Sequence, residues 1–583
     1  MALGFGACSA PLPDSVVAGS SASVGWDHDL TSTNTASTGG ATAGNLDVAA
    51  MTRSQFAESV EGADVVDESF GTASIVDPES FTVRYELADP SWSDGIPVDV
   101  ADLLLAWAAG SNVPGTGSAR VGSDSPAGHD DVDAEPLTVF DSVASGLRDS
   151  VQVTAYDEFE RWIEVRFIRP VADWRTALDV AVPAHVAGGL AFDLEDPMEA
   201  KQAVITAIDE RDEDALATLA EVWNTGFELP RGSGEVPPEL LLSSGPYRIE
   251  EVDRSRTDAQ AVHLVVNNEY EGFPTPELER ISLTPMPASD PLAELGRSVD
   301  VVQVEPTDDN WEAIRDLERV DYGVSTTHTG SMWALLLHVD RGEFAWFSAR
   351  ETFLRAVPQA DVASAGAGRW ADAYQGTSAV VFSPDMAGYQ IALEDAGFPD
   401  SVGEQVSDDD AAAERAEAGV EDGAGVCVLY DTDERFAVEA FGALRDGVAE
   451  AGWDVRDCGT DDLAGALSED TEWHAVLTEV PVPQSAADVG AQWGTDGSAS
   501  LTGGGDKERD DLIESLARAA DEYQVRDLRV EIEASIVAEA VAMPLAMQPM
   551  VTVNHRGIDS VRPREGDTAT LTSGAVEWSL PDQ

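Results

Sequence analysis

The chain has 583 residues, which is too long for one compact core, so its length predicts roughly two to four domains. Hydrophobic residues make up 43% of it, enough to build those cores, which excludes a disordered acidic chain. The net charge is -75, and a charge of that sign repels phosphate backbones and anionic lipid surfaces. Nucleic acid is therefore excluded as a partner. Because the carboxylates are spread along the chain, they indicate a solvated acidic surface rather than one patch for a cationic ligand.

The start of the chain carries a cysteine in the setting of a lipid-attachment site. Cys8 follows Phe5-Gly6-Ala7 and precedes a Ser-, Gly- and Pro-containing spacer, which suits signal cleavage and lipid attachment. The other interpretation is an ordinary cysteine near the N-terminus. No stretch approaches the ~20 apolar residues of a membrane helix, so we expect membrane contact through the lipid alone.

The first predicted elements are a strand, a turn and a helix. FTVRYEL (81–87) alternates apolar and polar residues as a half-buried strand does. SDGIP (93–97) predicts a turn, and VDVADLLLAWAAG (98–110) predicts a helix that ends at a glycine. Another strand is predicted at RWIEVRFIRP (161–170), and residues 196–228 are predicted to be helical.

The middle of the chain predicts a hairpin followed by a layered domain. SSGPYRIEEVD (243–253) and AVHLVVNNEYEG (261–272) predict two strands that pair antiparallel. From LERISLTPMP (278–287) to about residue 530, strands alternate with helices, which is typical of a largely parallel α/β sheet. Within it, GVCVLY and WDVRDC are predicted to be parallel neighbours. This brings Cys427 close to Cys458, where a disulfide and a pair of buried thiols both fit.

Signatures of catalysis and of cofactor binding are missing from the sequence. It contains no G-x-S-x-G nucleophile elbow, no G-x-x-x-x-G-K-[ST] phosphate loop and no H-E-x-x-H metal motif. The eight histidines are scattered, and no C-x-x-C pair is present to hold zinc. Carboxylates are so abundant that spacing cannot single out an acid and base pair. We therefore expect no enzyme activity, no cofactor and no metal.

Two of these segments resemble a known family. FTVRYEL…WSDGIPVDVADLLLAW is similar to the strand and the "DG-x-P-[VF]-x-A-x-D" helix entry of extracellular solute-binding proteins of peptide-type ABC importers, the oligopeptide- and dipeptide-binding proteins. SSGPYRIEEVD…VHLVVNNEYEG is similar to that family's "GTGPY" strand and its following "L-x-x-N-x-x-Y". The residues that match are Gly245, Pro246, Tyr247, Asn267 and Tyr270. ARETFLRAV (349–357) and AMPLAMQPMVTVNHRGIDSVRP (542–563) resemble later parts, so the resemblance covers about residues 24–563.

The resemblance implies an α/β, two-lobed periplasmic-binding-protein-like fold of class II, the large peptide-binding type, with an extra subdomain in the first lobe. It places a signal remnant, the lipid-attachment Cys8 and a linker at 1–22, the first lobe at 23–285 with its subdomain at about 37–145, the second lobe at 286–539, and a completion of the first lobe at 540–583. The Gly-Pro-Tyr hairpin then belongs to the first lobe's sheet, where Tyr247 is expected to pack rather than to contact a ligand.

Proteins of this family close two lobes on a ligand and deliver it to a membrane permease. The resemblance therefore implies a monomeric, extracytoplasmic lipoprotein at the cell surface, which binds a peptide or a related small solute and works with ABC importer permease subunits. LTSTNTAST (30–38) takes the place of the family's first ligand-lining loop, so Asn34 and Thr35 are candidates for ligand contact. An ordinary polar loop is the other interpretation.

WHAVLTEVPVPQSAADVGAQW (473–493) takes the place of the family's second-lobe ligand loop. Peptide binders place an Asp there that pairs with the ligand's α-amino group, whereas this chain has Pro483. The ligand candidates in this lobe are Trp333, Glu479, Gln484 and Trp493. Glu479 is the substitute for the missing Asp, and the tryptophans are either cavity walls or core residues. The departure leaves open a longer peptide, a sugar, a metallophore or an opine-like compound.

Two other functions stay open at this point. One is a secreted hydrolase that uses carboxylates without a recognisable nucleophile motif. The other is a binding scaffold that has lost transport and acts as a sensor or an interaction protein at the surface. Turnover of substrate would identify the first, and a genomic neighbourhood without permease or ATPase genes would favour the second.

Overall fold

The computed structural model describes residues 12–60, 63–111, 139–143, 146–230, 235–256, 259–286, 291–320, 322–468, 473–564, 566 and 571–581. The strands are β1 (Val17–Trp26), β2 (Ala57–Val60), β3 (Ala63–Val66), β4 (Gly71–Asp77), β5 (Thr82–Leu87), β6 (Ser150–Asp157), β7 (Trp162–Phe167), β8 (Tyr247–Arg256), β9 (Ala259–Val266), β10 (Leu278–Pro285), β11 (Val301–Val304), β12 (Gly323–Leu337), β13 (Ala424–Leu429), β14 (Trp453–Asp457), β15 (Ala475–Pro481) and β16 (Ala542–Asn554). The helices are α1 (Ala43–Thr52), α2 (Val100–Ser111), α3 (Ala184–Phe192), α4 (Pro197–Glu210), α5 (Glu213–Glu221), α6 (Asp308–Glu318), α7 (Phe347–Ala356), α8 (Gln359–Ala367), α9 (Tyr389–Asp395), α10 (Asp408–Glu417), α11 (Arg435–Ala449), α12 (Leu463–Ser468), α13 (Ala486–Trp493), α14 (Lys507–Leu516) and α15 (Glu522–Glu539).

One long sheet organises the molecule, with the strand order β14-β13-β15-β12-β16-β11-β1-β10-β9-β8. At one end β1 lies parallel to β10 and β11, and β9 pairs antiparallel with both β10 and β8. At the other end β13 lies parallel to β14 and β15. The predicted antiparallel pairing of β8 with β9 is confirmed, and so is the parallel placement of the two cysteine-bearing segments.

Strands β12 and β16 connect the two ends of this sheet. Residues 323–328 of β12 pair with β16 beside β11, whereas residues 332–336 pair with it beside β15. The register shifts between these two stretches, and Gly330 lies in the interruption with a φ of 80°, which favours glycine. The two lobes are therefore joined by a pair of strands whose ladder is broken at the crossing.

A small layer of the first lobe consists of the four-stranded sheet β4-β5-β7-β6 and helix α2. The strand predicted at 81–87 and the helix predicted at 98–110 correspond to β5 and α2. Helix α2 is buried along nearly its whole length, which explains its continuous apolar run. Its one early carboxylate, Asp102, is also buried and accepts from Lys201 Nζ at 3.1 Å and from the Ala184 N–H at 2.8 Å.

The Gly-Pro-Tyr hairpin has the packing role predicted for it. Tyr247 has 0% of its surface exposed, and its hydroxyl donates to the Leu278 carbonyl at 3.1 Å. Asn267 closes the hairpin, since its N–H donates to the Pro246 carbonyl and its side chain donates to the Gly245 carbonyl, both at 2.9 Å. The Gly-Pro-Tyr and Asn residues of the two motifs therefore fix the pairing of β8 with β9.

Of the two options for the paired cysteines, the disulfide is formed. Cys427 in β13 and Cys458 directly after β14 are bonded, with their Cα atoms 5.7 Å apart. Strand β14 lies at the edge of the long sheet, so the bond fixes the outermost strand of the second lobe to its neighbour.

After β16 the chain returns to the first lobe. Trp578 is fully buried in the core that also contains β1 and α2. Asp559 and Ser579 exchange backbone hydrogen bonds, and the Leu580 N–H donates to the Glu277 side chain at 2.9 Å. The C-terminal segment thus completes the core of the lobe in which the chain begins.

Candidate functional site

The first lobe contains a cavity of about 900 Å³. Helix α1 forms one wall, and the β2–β3 hairpin and the returning C-terminal segment form others. Much of the lining is apolar and includes Leu46, Ala49, Ala50, Val65, Val66 and Tyr270. A space of this size is in the range that holds a small organic solute or a short peptide.

Two arginine–carboxylate pairs border this cavity, in a chain where basic residues are scarce. Arg53 pairs with Asp179, and Arg564 of the C-terminal segment pairs with Glu58 of β2. The other charged residues of the lining are Asp67 and Glu68. The described lining thus carries two positive and four negative side chains. Its net charge favours neutral or cationic solutes over polyanions.

The predicted first-lobe loop reaches the cavity through Thr35, which lines it. Asn34, in the same loop, is buried, with 1% of its surface exposed. The Asn34 side chain donates to the Trp223 carbonyl at 2.8 Å and accepts from the Ala36 N–H at 3.3 Å. Asn34 therefore holds the loop in place, while Thr35 presents atoms to the cavity.

In the second lobe, Trp333 and Glu479 are direct neighbours across the β12–β15 ladder, so their side chains share one face of the sheet. The Trp333 ring stacks on Phe436 with the ring centroids 4.7 Å apart, and its Nε1 donates to Gln548 at 2.7 Å. Phe436 stacks in turn on Tyr374, with centroids 5.1 Å apart. Trp333 is 3% exposed, so it packs within the lobe and supports the position of Glu479.

Glu479 lies close enough to two other carboxylates, those of Glu305 and Glu434, to be affected by their charges. Burial raises the pKa of Glu479, a hydrogen bond from Ser331 opposes this, and the charges of Glu305 and Glu434 raise it further. Burial raises the pKa of Tyr374, and the charges of Glu305, Glu479 and Glu434 raise it further. Glu479 nevertheless keeps an exposed surface, so water and solutes can reach it. Such a group attracts a cation, because a positive charge relieves the repulsion among the carboxylates.

The predicted second-lobe ligand loop is fixed by its own neighbours. The Val482 N–H donates to the Gly330 carbonyl at 2.7 Å, and the Gln484 side chain donates to the Val482 carbonyl at 3.1 Å. Asp488 accepts from the Gln484 N–H at 3.2 Å. Trp493, at the end of α13, is 4% exposed and packs in the second-lobe core. The loop is therefore held at the crossing point between the lobes, and Trp493 supports it from behind.

The cavity rim and the second-lobe loop meet at the crossing strands. The Gly566 N–H donates to the His328 carbonyl at 3.0 Å, and Gly566 lies two residues after Arg564 of the cavity wall. Gly330, which accepts from Val482, is packed so closely on Gly566 that a Cβ atom there would lie 2.8 Å from the Gly566 carbonyl oxygen. The C-terminal segment that carries Arg564 and the second-lobe loop that contains Val482 therefore meet at Gly330.

Cys8 lies outside the described residues. Within the ranges that the structure covers, no three His, Cys, Asp or Glu side chains are grouped as a metal ion would require. Nor does any helix in those ranges combine the length and apolar character needed to span a membrane.

The backbone is similar over nearly its whole length to solved solute-binding proteins. A periplasmic EDTA-binding protein, EppA, superposes with a TM-score of 0.73 at 17% sequence identity and covers 97% of both chains. An ABC transporter substrate-binding protein of Listeria monocytogenes, CtaP, gives 0.67 at 15% identity over 97% of this chain and 100% of that one. The oligopeptide-binding protein AppA of Bacillus subtilis, in complex with a nonapeptide, gives 0.60 at 12% identity over 96% and 99%.

The chain has the two-lobed solute-binding fold. The fold that the sequence resemblance implied is thereby confirmed. A curated relative, an uncharacterized lipoprotein of Mycobacterium tuberculosis (strain ATCC 25618 / H37Rv), is 25% identical over 558 residues, or 90% of this chain and 86% of the relative. No protein-family model matches the chain.

Sequence reasoning about this solute-binding fold missed the residues that shape its cavity. Arg53 and Arg564 stand 511 positions apart, and neither belongs to a motif. One signal was available. The chain has 34 basic residues against 109 acidic ones, so an arginine next to an apolar segment is uncommon enough to be noticed. Arg53 directly follows α1, and Arg564 directly follows the segment that resembles the family's C-terminal return.

Proposed function

We propose that the chain is an extracytoplasmic solute-binding lipoprotein of an ABC importer, which captures a peptide between its lobes and delivers it to the membrane permease. The observation that carries the proposal is the interrupted strand pair β12 and β16, the connection through which one lobe can move against the other. Ligand contacts with both lobes stabilise the closed arrangement, and only that difference in affinity shifts the population.

The ligand in this proposal lies between the first-lobe cavity and the face that carries Glu479. Thr35 contacts it, and Asn34 fixes the loop that presents Thr35. Glu479 takes the part of the Asp that this chain lacks and pairs with the peptide's α-amino group. The supporting residues in the second lobe are Trp333, Gln484 and Trp493. The acidic character of both surfaces supports a neutral or cationic peptide.

Anchoring and partners belong to the same proposal. Cys8 carries the lipid, in agreement with the lipoprotein name of the Mycobacterium tuberculosis relative. The permease subunits of an ABC importer are the partner, as the transporter name of the Listeria protein suggests. We further propose that the chain works as a monomer and that it binds without catalysing a reaction.

The test is a thermal-shift screen with tri- to nonapeptides, sugars and metal chelates. A peptide at 100 times its dissociation constant should add about 2.7 kcal/mol of stability, which raises the melting temperature. Small-angle scattering with the same peptide should show a more compact molecule. If no compound in the screen shifts the melting temperature, the proposal is wrong. If chelates or sugars alone shift it, the peptide assignment is wrong while the binding role stands.

The role of Glu479 has its own control within this experiment. E479Q should weaken a peptide with a free α-amino group about tenfold, as expected for loss of one charged partner. The N-acetylated form of that peptide should bind the wild type and E479Q equally. E531Q changes an exposed carboxylate on α15 and should leave both affinities unchanged.

A further inference from the structure

Helix α15 carries a buried arginine that contacts the second-lobe loop directly. Arg529 is 6% exposed, and its guanidinium donates to the carbonyls of Pro483, at 3.3 Å, and of Gln484. The Met386 sulfur lies 3.8 Å from the same guanidinium. Burial lowers the pKa of Arg529 to about 10, with the charge of Asp488 opposing, so the group stays protonated at neutral pH.

The two sides of this loop are held by opposite charges. Asp488 accepts from the N–H groups of Gln484 and Ser485, at 3.2 and 2.9 Å. Arg529 binds the carbonyls of Pro483 and Gln484 from the other side. Charge-assisted hydrogen bonds are roughly twice as strong as neutral ones. The backbone of residues 483–485 is therefore fixed from both sides before any solute arrives.

A neighbouring segment depends on the same helix. Glu533, one turn after Arg529, accepts from the N–H groups of Val380 and Val381 at 3.0 and 2.7 Å. Met386, which contacts Arg529, belongs to the stretch of chain that follows these two valines. Asp385, in that same stretch, lies 2.9 Å from His328 at the strand crossing. One face of α15 thus holds two segments that both lie near the strand crossing.

We propose that Arg529 is a positioning residue for solute binding: it contacts no ligand itself but keeps residues 483–485 in the conformation that a bound solute requires. This inference rests on the proposed function. A loop that is pre-ordered by the protein loses less conformational freedom when a solute binds to it. If the competent conformation falls to a tenth of the population, the apparent affinity falls tenfold.

The structure provides a matched control. Arg350 on α7 is also buried, at 7% exposure, and its guanidinium also donates to backbone carbonyls, those of Glu539 at 3.0 Å and Phe344 at 2.8 Å. It lies against the end of α15 and not against the loop. R350M and R529M therefore remove the same chemistry from two places, and both should lower the melting temperature.

The experiment measures the affinity of the folded variants, by calorimetry below their melting temperatures, for the peptide that the thermal-shift screen selects. R529M should bind at least about tenfold more weakly than the wild type, because the loop must then be ordered on binding. R529K, which keeps the charge but not the two-pronged geometry, should recover part of that loss. R350M should bind within twofold of the wild type. Equal affinities for R529M and R350M would overturn the proposal, whatever their melting temperatures.

Amide hydrogen exchange separates this inference from the proposed function. In the ligand-free protein, R529K should expose the N–H groups of Gln484 and Ser485 to faster exchange, whereas R350K should not. This comparison needs no ligand and also applies if R529M does not fold. Unchanged exchange at both positions contradicts the positioning role. A wild type that binds nothing in the screen, together with faster exchange in R529K, contradicts the proposed function and leaves the loop contact established.

Discussion

Glu533 is a carboxylate placed in the core of the second lobe, with 2% of its surface exposed. Its described partners are the N–H groups of Val380 and Val381. Those two hydrogen bonds lower its pKa, but burial outweighs them and raises the pKa to about 7. Glu533 therefore changes its charge near neutral pH. It is also the group that binds the N–H groups of Val380 and Val381.

The first prediction concerns the pH dependence of stability at this residue. The unfolded pKa, about 4.5, lies below the folded value, so the folded state binds the proton more tightly. The resulting stability is fully present below the unfolded pKa and is lost as the pH rises through about 7. It amounts to no more than about 3 kcal/mol.

Urea unfolding of the wild type and of E533Q between pH 5 and 8 measures this effect. The stability of the wild type relative to E533Q should fall across that range, because E533Q cannot ionise. E531Q changes an exposed residue two positions before Glu533 on α15. The stability difference between the wild type and E531Q should not change over this pH range. A constant difference for E533Q as well would show that Glu533 keeps an ordinary pKa.

Single residues were predictable from the sequence where local chemistry determines their role. Tyr247 and Asn267 were singled out because they match motifs of the family, and the packing expected for Tyr247 comes from its place in the hairpin. Arg529 was not, since it contacts backbone carbonyls 45 and 46 positions away. Every residue type has such a carbonyl, so the sequence carries no signal for these contacts. The six residues predicted to bind ligand remain predictions, although the structure brings Thr35 to the cavity and Glu479 to an accessible acidic face.

At the scale of elements, the disulfide joins β13 to the end of the edge strand β14. The two cysteines are 31 positions apart, so the bond closes a loop that contains helix α11. A cross-link of that span restricts the unfolded chain, which corresponds to about 3–4 kcal/mol in the chain-entropy account.

The double variant C427A/C458A is predicted to lower the free energy of unfolding of the second lobe by about that amount. Differential scanning calorimetry should show the transition of one lobe moving to lower temperature while the other keeps its position. Reduced wild type is the control and should behave like the double variant. A loss below about 1 kcal/mol would contradict the prediction, because it would mean that the disulfide adds little to the free energy of unfolding.

Elements were predictable where one periodic pattern determined them, and β5, α2, β8 and β9 are of that kind. Helix α1 was missed because polar side chains occupy its buried positions. Asn45 accepts from the Thr31 N–H at 2.7 Å, and Asp47 accepts from Trp26 Nε1 at 2.8 Å. These contacts connect α1 to the end of β1 and to the loop after it. The polar residues that make them interrupt the apolar stripe by which an amphipathic helix is recognised.

At the scale of the whole molecule, the lobes also touch away from the crossing strands. The Ala172 N–H of the first lobe donates to the Ala517 carbonyl of the second at 3.2 Å. Arg169 lies 3.9 Å from Glu514, and both side chains are partly exposed. An exposed pair of this kind contributes about 0–1 kcal/mol. This ion pair therefore contributes little to holding the two lobes together.

The same molecule carries a net charge of -75, which repels itself in the compact state. Salt shortens the range of that repulsion, from a Debye length of about 30 Å at 0.01 M to about 3 Å at 1 M. We predict that raising NaCl over this range at pH 7 increases the melting temperature by at least about 2 °C, because the folded state concentrates the charge more than the unfolded chain does.

The control is the same titration near the isoelectric point of about 4.1, where the net charge vanishes and salt should have little effect. A melting temperature that falls with salt at pH 7 would show that the ion pairs of the few arginines outweigh the repulsion among the carboxylates.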